Sequence, residues 1–105
     1  MLIDALDIRL AIVKYAIISE WMVAVEWCIG ENANEVDITA LNPICLTDEE
    51  FVEFYKGITQ TIDAQFTIES NMGQIVASII DSSIWEIECE NVKVENLIKD
   101  EMKEK

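Results

Sequence analysis

The first third of the chain is apolar over an unusually long stretch. From Ile3 to Ile29 most residues are good helix formers, and Gly30 is a residue type common just beyond a helix C-terminus. The pattern therefore predicts a long apolar N-terminal helix, of the kind that packs on several sides or against a second subunit. An alternative stays open for residues 21–29, which also alternate as a strand would, with four large residues on one face: Trp21, Val23, Val25 and Trp27.

A second helix is predicted from its start signal. In Thr47-Asp48-Glu49-Glu50 the Thr47 hydroxyl can accept from the Glu50 amide while the Glu50 carboxylate accepts from the Thr47 amide, which is a capping box. Leu46 and Phe51 have the spacing of the hydrophobic staple that accompanies it. The helix is expected to bury Phe51 and Tyr55 and to end near Gly57. Before this start signal, residues 36–41 are compatible with a short strand.

Beyond Ile58 the period of the apolar positions changes from helical to two. Ile62, Ala64, Phe66 and Ile68 alternate with polar residues, as in a half-buried strand. Further strands are expected over 74–80 and 84–90, and a capped helix from Asn91 to the C-terminus. The predicted fold class is α+β: a long apolar N-terminal helix, a capped second helix, an antiparallel three-stranded meander and a C-terminal helix. At 105 residues this is expected to be a single domain, 1–105.

The charge of the chain is strongly one-signed. There are 21 acidic residues against 7 basic ones, no histidine, and a net charge of -14. Residues 15–92 hold fifteen of the acids and a single base, Lys56. Direct binding to a nucleic acid or to an anionic membrane is therefore not expected, because both partners require clustered lysine and arginine.

Two groups of acids are candidate partner-binding residues. One lies on the expected solvent face of the sheet, where alternate residues are about 6.6 Å apart and carboxylates form a regular row: Asp63, Glu69, Glu86, Glu88 and Glu90. The other lies at the start of the capped helix: Asp48, Glu49, Glu50 and Glu53. Carboxylates held at regular spacing resemble backbone phosphates in charge, and a face of one sign steers association with a basic partner.

Chemistry at a reactive centre is not indicated. No Gly-rich phosphate loop, zinc-binding spacing or calcium loop is present, and no acid pair stands in a motif that predicts burial, so the sequence indicates a protein that is not an enzyme and has no cofactor or metal. Cys28, Cys45 and Cys89 are expected to be buried small hydrophobic residues in a reducing cytoplasm. The acidic N-terminus does not look like a secretory signal, and charged residues interrupt the most apolar window, which argues against a membrane span.

The expected function is inhibition by binding. A small acidic protein is suited to occupy the basic nucleic-acid-binding surface of a target such as a nuclease, as anti-defence proteins of phages and immunity proteins against nuclease toxins do. Two alternatives remain: a dimeric acidic adaptor or secretion chaperone that binds an effector through an apolar groove, and a structural subunit of an assembly. Since 51% of the residues are hydrophobic in so small a chain, a homodimer is also expected.

Overall fold

Alternating apolar and polar residues build one five-stranded antiparallel sheet with strand order β2-β1-β3-β4-β5. A computed structural model describes residues 4–81 and 84–103. The elements in chain order are α1 (Ala5–Val13), β1 (Ile18–Gly30), α2 (Ala33–Asp37), a 3-10 turn (Ile38–Ala40), β2 (Ile44–Leu46), α3 (Asp48–Tyr55), β3 (Ile58–Ser70), β4 (Gly73–Ile79), β5 (Glu86–Cys89) and α4 (Val92–Lys103).

One face of the sheet forms the hydrophobic core. Because side chains alternate between the faces with a period of two, register alone aligns the buried residues in rows across the strands. One such row runs from Val23 through Phe66 and Ala77 to Ile87, and all four are buried. The helices α1, α3 and α4 contribute their own buried residues to the same cluster, and α2 adds Val36, so the described residues form two layers, with their helices on the core side of the sheet.

Aromatic stacking joins α3 to the sheet. The rings of Trp21 on β1 and Phe51 on α3 are parallel, with centroids 3.7 Å apart, and Phe66 meets both of them edge-on. Such pairs contribute about 0.5–1.5 kcal/mol each beyond the area they bury. The capping box that starts α3 is present as predicted, since the Glu50 amide donates to Thr47 Oγ1 at 3.2 Å and the Thr47 amide donates to Glu50 Oε1 at 2.9 Å.

The prediction of a long N-terminal helix was wrong. The helix α1 ends at Val13, and residues 18–30 form the 13-residue strand β1. The alternative of a strand over 21–29 was correct for Trp21, Val23 and Val25, which are buried, but not for Trp27, which is 53% exposed. A bulge between Val25 and Trp27 inserts one extra residue and moves Trp27 to the other face.

The sheet is larger than the predicted three-stranded meander. The meander itself is present as β3, β4 and β5, and β1 and β2 extend it on the β3 side. Residues 36–41 form the end of α2 and the 3-10 turn rather than a strand. The short strand β2 was not predicted, because three residues carry too little of the period to be recognised.

Beyond the end of β2, side chains of α2 and of the 3-10 turn accept hydrogen bonds from backbone amides of β1. The Val25 amide donates to Thr39 Oγ1 at 2.8 Å, and the Cys28 amide donates to Asp37 Oδ1 at 3.1 Å. These hydrogen bonds protect an edge that would otherwise offer free donors to another strand. Within the two described ranges, no helix is both long enough and apolar enough to span a membrane.

Candidate protein-binding face

None of the helices in the described part of the chain lies over the second face of the sheet, which we call the open face. It carries the residues that alternate with the core rows. In the register of the strands, Met22, Thr67 and Val76 form one row, and Ala24, Gln65 and Ser78 form the next. Most antiparallel sheets in two-layer domains expose one face in this way, so the composition of the face decides whether it can bind a partner.

Seven carboxylates surround these two rows. Glu20 and Glu69 are paired across β1 and β3 at one end, and Asp63 is paired with Trp27 at the other end, next to the bulge. The edge strand β5 contributes Glu86 and Glu88, which are paired with Ser78 and Val76. The full set, which we call the acidic rim, is Glu20, Glu26, Asp63, Glu69, Glu86, Glu88 and Glu90.

No described lysine or arginine lies on the open face. The described bases are all within helices or at their C-terminal ends: Arg9, Lys14, Lys56, Lys93, Lys99 and Lys103. The two layers therefore differ in charge, since the helix layer mixes both signs and the open face carries only one. A face of seven carboxylates without a base produces a negative potential that attracts cationic partners over a distance of about a Debye length.

Local hydrogen bonds hold four of the rim carboxylates in place, and one of the four is Glu20, which is bonded to the Cys45 thiol. Asp63 Oδ1 accepts from the Asp81 amide at 2.8 Å, and Glu69 Oε1 accepts from Gln74 Nε2 at 3.0 Å. Glu90 lies just beyond β5, and its carboxylate accepts from the backbone amide of Gln74 at 3.2 Å. The side chains of Glu26, Glu86 and Glu88 are exposed and make no hydrogen bond to any residue in 4–81 or 84–103. Those three are the rim carboxylates most available to a partner.

The centre of the open face is uncharged and small. Ala24, Thr67, Val76 and Ser78 are half-buried by their neighbours on the sheet, and Met22 is 45% exposed. An open depression of about 480 Å³ lies between Ala24, Gln65 and Ser78 and extends to Ala40 of the 3-10 turn. An uncharged centre with a charged rim is the usual anatomy of a protein–protein interface.

The second predicted acid cluster lies on the other layer. All four of its residues lie on α3, which packs on the core face, so they do not join the acidic rim: Asp48, Glu49, Glu50 and Glu53. Three of them have local partners: Asp48 pairs with Arg9, Glu50 belongs to the capping box, and Glu53 pairs with Lys56. Glu49 is exposed. The structure thus accounts for most of this cluster by helix capping and ion pairing.

Glu20 and Glu26 were missed as candidates. Both lie in the segment predicted to be helical, where they would not have shared a face with the meander. Part of the signal was present in the alternative strand, because Trp21, Val23 and Val25 are apolar and Glu26 stands at an even position. Glu20 continues the same alternation one residue before that strand begins. Once β1 pairs with β3, both acids lie on the open face beside Glu69 and Asp63.

A group of polar side chains lies at the other end of the core, between α1, α2 and β3. The Tyr55 and Thr61 hydroxyls are hydrogen-bonded, the Thr61 amide donates to Asp4 Oδ1 at 3.0 Å, and the Cys28 thiol donates to Asp37 Oδ1 at 3.1 Å. Burial, with the neighbouring Asp37, raises the pKa of the Cys28 thiol to about 12. The thiol therefore stays protonated at neutral pH and is not a nucleophile.

The cysteines differ in environment. Cys28 and Cys89 are buried as expected, whereas Cys45 on β2 is exposed, which corrects the expectation that all three are core residues. Cys45 lies opposite Met22 at the margin of the open face because β2 is an edge strand. A hydrogen bond to Glu20 raises the pKa of the Cys45 thiol. Among the described residues, no three cysteine or acidic side chains come together in a way that could hold a metal ion.

Comparison of the chain with models of protein families, with curated proteins and with solved structures found no match.

Proposed function

We propose that the protein is a small cytoplasmic inhibitor, without catalytic activity, that binds through its open face to the basic nucleic-acid-binding surface of a target protein. The observation that carries this proposal is the acidic rim: seven carboxylates on one sheet face that bears no described base. Anti-defence proteins and immunity proteins against nuclease toxins are the functional types that this mode of action fits.

The physical argument is competition for a positive surface. A nucleic-acid-binding protein presents lysine and arginine that neutralise phosphates, and displacement of counterions by that contact supplies much of its affinity. Carboxylates spaced about 6.6 Å apart along a strand can make the same ion pairs from a rigid support. Like charges directly opposite each other in a sheet are unfavourable in the free protein, and Glu20 and Glu69 form such a pair. A basic partner would relieve this repulsion.

Self-association through the helix layer is part of the proposal. Leu10 and Val13 lie three residues apart on α1 and are 51% and 39% exposed, next to the bases Arg9 and Lys14. This is an apolar strip in a region of mixed charge, where two copies meet without strong repulsion. A homodimer formed there leaves both open faces free. The same strip favours the second candidate function, a dimeric adaptor whose affinity for an effector is apolar.

The first experiment is capture from lysates of candidate host cells by the immobilised protein, with elution along a salt gradient. We expect a nucleic-acid-binding protein that elutes at moderate salt and whose nucleic acid no longer binds when the inhibitor is present. A bound protein that resists high salt and has no nucleic acid ligand would instead support the adaptor.

Two double variants with the same change in charge test whether the open face is responsible. Glu86→Lys with Glu88→Lys reverses two rim positions that have no structural partner in the described ranges. Glu49→Lys with Asp100→Lys reverses two exposed acids of the helix layer. The proposal expects the rim variant to lose at least tenfold in affinity for the captured target and the helix-layer variant to change less than threefold. Equal losses would show that net charge, and not the open face, governs binding.

A further inference from the structure

We propose that the segment bound by the open face is a basic amphipathic α-helix of the target, which packs along the strands over the uncharged centre and places its lysines and arginines against the acidic rim. This inference rests on the proposed function, and it specifies the chemistry of the partner. Charge complementarity, the length of the face and the size of its central residues support it.

The length of the face suits a short helix. From the row of Glu20 and Glu69 to the row of Trp27 and Asp63 there are three steps of two residues along the strands. Each step is about 6.6 Å, so the rows span roughly 20 Å. At 1.5 Å per residue, about 13 residues of helix cover this distance. The sheet already packs three helices on its other face, and one more would complete a three-layer arrangement.

The centre of the face allows close approach of a helix. Ala24, Thr67 and Ser78 are small, Val76 is branched and apolar, and Gln65, between Ala24 and Ser78, is longer but uncharged and unbranched. A helix with leucine or alanine on one side can therefore lie against β1, β3 and β4 without meeting a buried charge. Met22 and Trp27 are exposed at the β1 side and provide flexible and aromatic contact area.

The distribution of charge sets the orientation of the basic residues. Carboxylates lie at both ends of the rows, at Glu20 and Glu69 and at Glu26 and Asp63, and Glu86 and Glu88 continue the rim along the β5 side. A bound helix would thus carry bases at its two ends and along one flank, with apolar residues between them. A second copy of this chain does not fit, because it would place two acidic rims against each other.

Two synthetic peptides of 14 residues test the inference. The first has leucine and alanine at i, i+3, i+4 and i+7 spacing with lysine and arginine on the flanks; the second has the same composition in an order without an apolar face. Binding is measured by calorimetry and by circular dichroism at low and moderate salt. We expect the amphipathic peptide to bind at least tenfold more tightly and to become helical on binding. Equal affinities, or no binding of either peptide, would overturn the helical occupant.

A variant of the protein separates packing from charge. Thr67→Glu adds a carboxylate in the middle of the uncharged centre, and Asn96→Glu adds one on an exposed position of α4 as the matched control. If the face bound cations by charge alone, Thr67→Glu would strengthen binding of the amphipathic peptide. We expect it to weaken binding at least tenfold, and Asn96→Glu to have less than a twofold effect.

The two proposals fail in different ways. Stronger binding by Thr67→Glu would overturn the amphipathic helix and leave an inhibitor that acts by charge. The proposed inhibitor function would be overturned if the Glu86→Lys, Glu88→Lys variant bound the captured target as tightly as the unaltered protein does. Should Thr67→Glu not fold, as judged by its circular dichroism spectrum and melting, the comparison of the two peptides on the unaltered protein still decides the inference.

Discussion

The guanidinium of Arg9 on α1 donates to both carboxylate oxygens of Asp48, with Nε to Oδ1 at 2.8 Å and Nη2 to Oδ2 at 2.6 Å. Asp48 Oδ1 also accepts from Trp21 Nε1 at 2.9 Å. One carboxylate at the start of α3 thereby connects α1, α3 and β1, and the favourable helix dipole adds to its stability there. The hydrogen bond from Arg9 holds the pKa of Asp48 below its ordinary value of 3.8.

Replacing Asp48 by Asn should lower the free energy of unfolding by about 1–2 kcal/mol at pH 7, because charge-assisted hydrogen bonds are worth about 1.5–3 kcal/mol and this pair is partly exposed. Since the folded pKa is depressed, this stability is present above pH 3.8 and is lost as the pH falls through the lower folded value. Urea denaturation at several pH values measures both effects. Glu49→Gln is the control, with an expected change within about 0.5 kcal/mol. A comparable loss in the control would show that Asp48 acts only through the helix dipole.

Asp4 should have the opposite pH dependence. Burial raises the pKa of this carboxyl above its ordinary value of 3.8, although the Thr61 amide donates to it. The folded state then binds the proton more tightly than the unfolded state, so the Asp4 contribution to stability falls as the pH rises from 3.8 through the folded pKa.

Two substitutions distinguish the roles of Asp4 as acceptor and as charge. Asp4→Asn keeps an acceptor for the Thr61 amide and should flatten the decline of stability between pH 4 and 7. Asp4→Ala leaves that amide without its acceptor and should cost about 1–3 kcal/mol at pH 4, and less as the pH rises, because the variant also lacks the buried charge. Denaturation midpoints across this pH range provide the measurement. An unchanged decline in Asp4→Asn would mean that other carboxylates produce it.

The three thiols should differ in reactivity toward iodoacetamide. Cys45 is exposed, whereas Cys28 and Cys89 are buried, and the pKa of Cys28 is raised to about 12. Intact-mass analysis of the folded protein should therefore show one modification well before the others, which Cys45→Ser abolishes, and three in concentrated urea. Modification of Cys28 before Cys45 would contradict the arrangement of α2 against β1.

Salt should raise the melting temperature. The net charge is -14, and the carboxylates of the acidic rim repel one another. Salt shortens the range of this repulsion, the Debye length, from about 10 Å at 0.1 M to about 3 Å at 1 M. The melting temperature should rise less between low and high salt in the Glu86→Lys, Glu88→Lys variant than in the Glu49→Lys, Asp100→Lys variant. A flat melting temperature in the unaltered protein would show that its carboxylates are compensated locally.

Period and capping residues were sufficient to predict the fold after Thr47. The capping box of α3, the alternation in β3 and the helix from Val92 are local signals, and they agree with the tertiary structure. The segment 18–30 was ambiguous because its residues have helical propensity while their alternation is that of a strand. The segment forms a strand because it pairs with β3, which begins 28 residues after β1 ends. A contact so distant in sequence cannot be recognised from a local pattern.

The candidate site was predictable in part for the same reason. Asp63, Glu69, Glu86 and Glu88 belong to strands whose alternation was clear, and they lie on the open face. Glu20 and Glu26 depended on the ambiguous segment. The uncharged centre could not be predicted at all, because Met22, Thr67 and Val76 are neighbours only through the register of three strands.

The two layers differ in how their charges are arranged, since acids and bases are mixed in the helix layer and the open face carries acids alone. The described bases lie on the helix side, and the acidic rim is on the opposite surface. If the protein binds a cationic partner as proposed, the more negative potential outside the open face favours encounters in which this face meets the partner first. The association rate would then fall as salt screens the carboxylates, while the dissociation rate would change less.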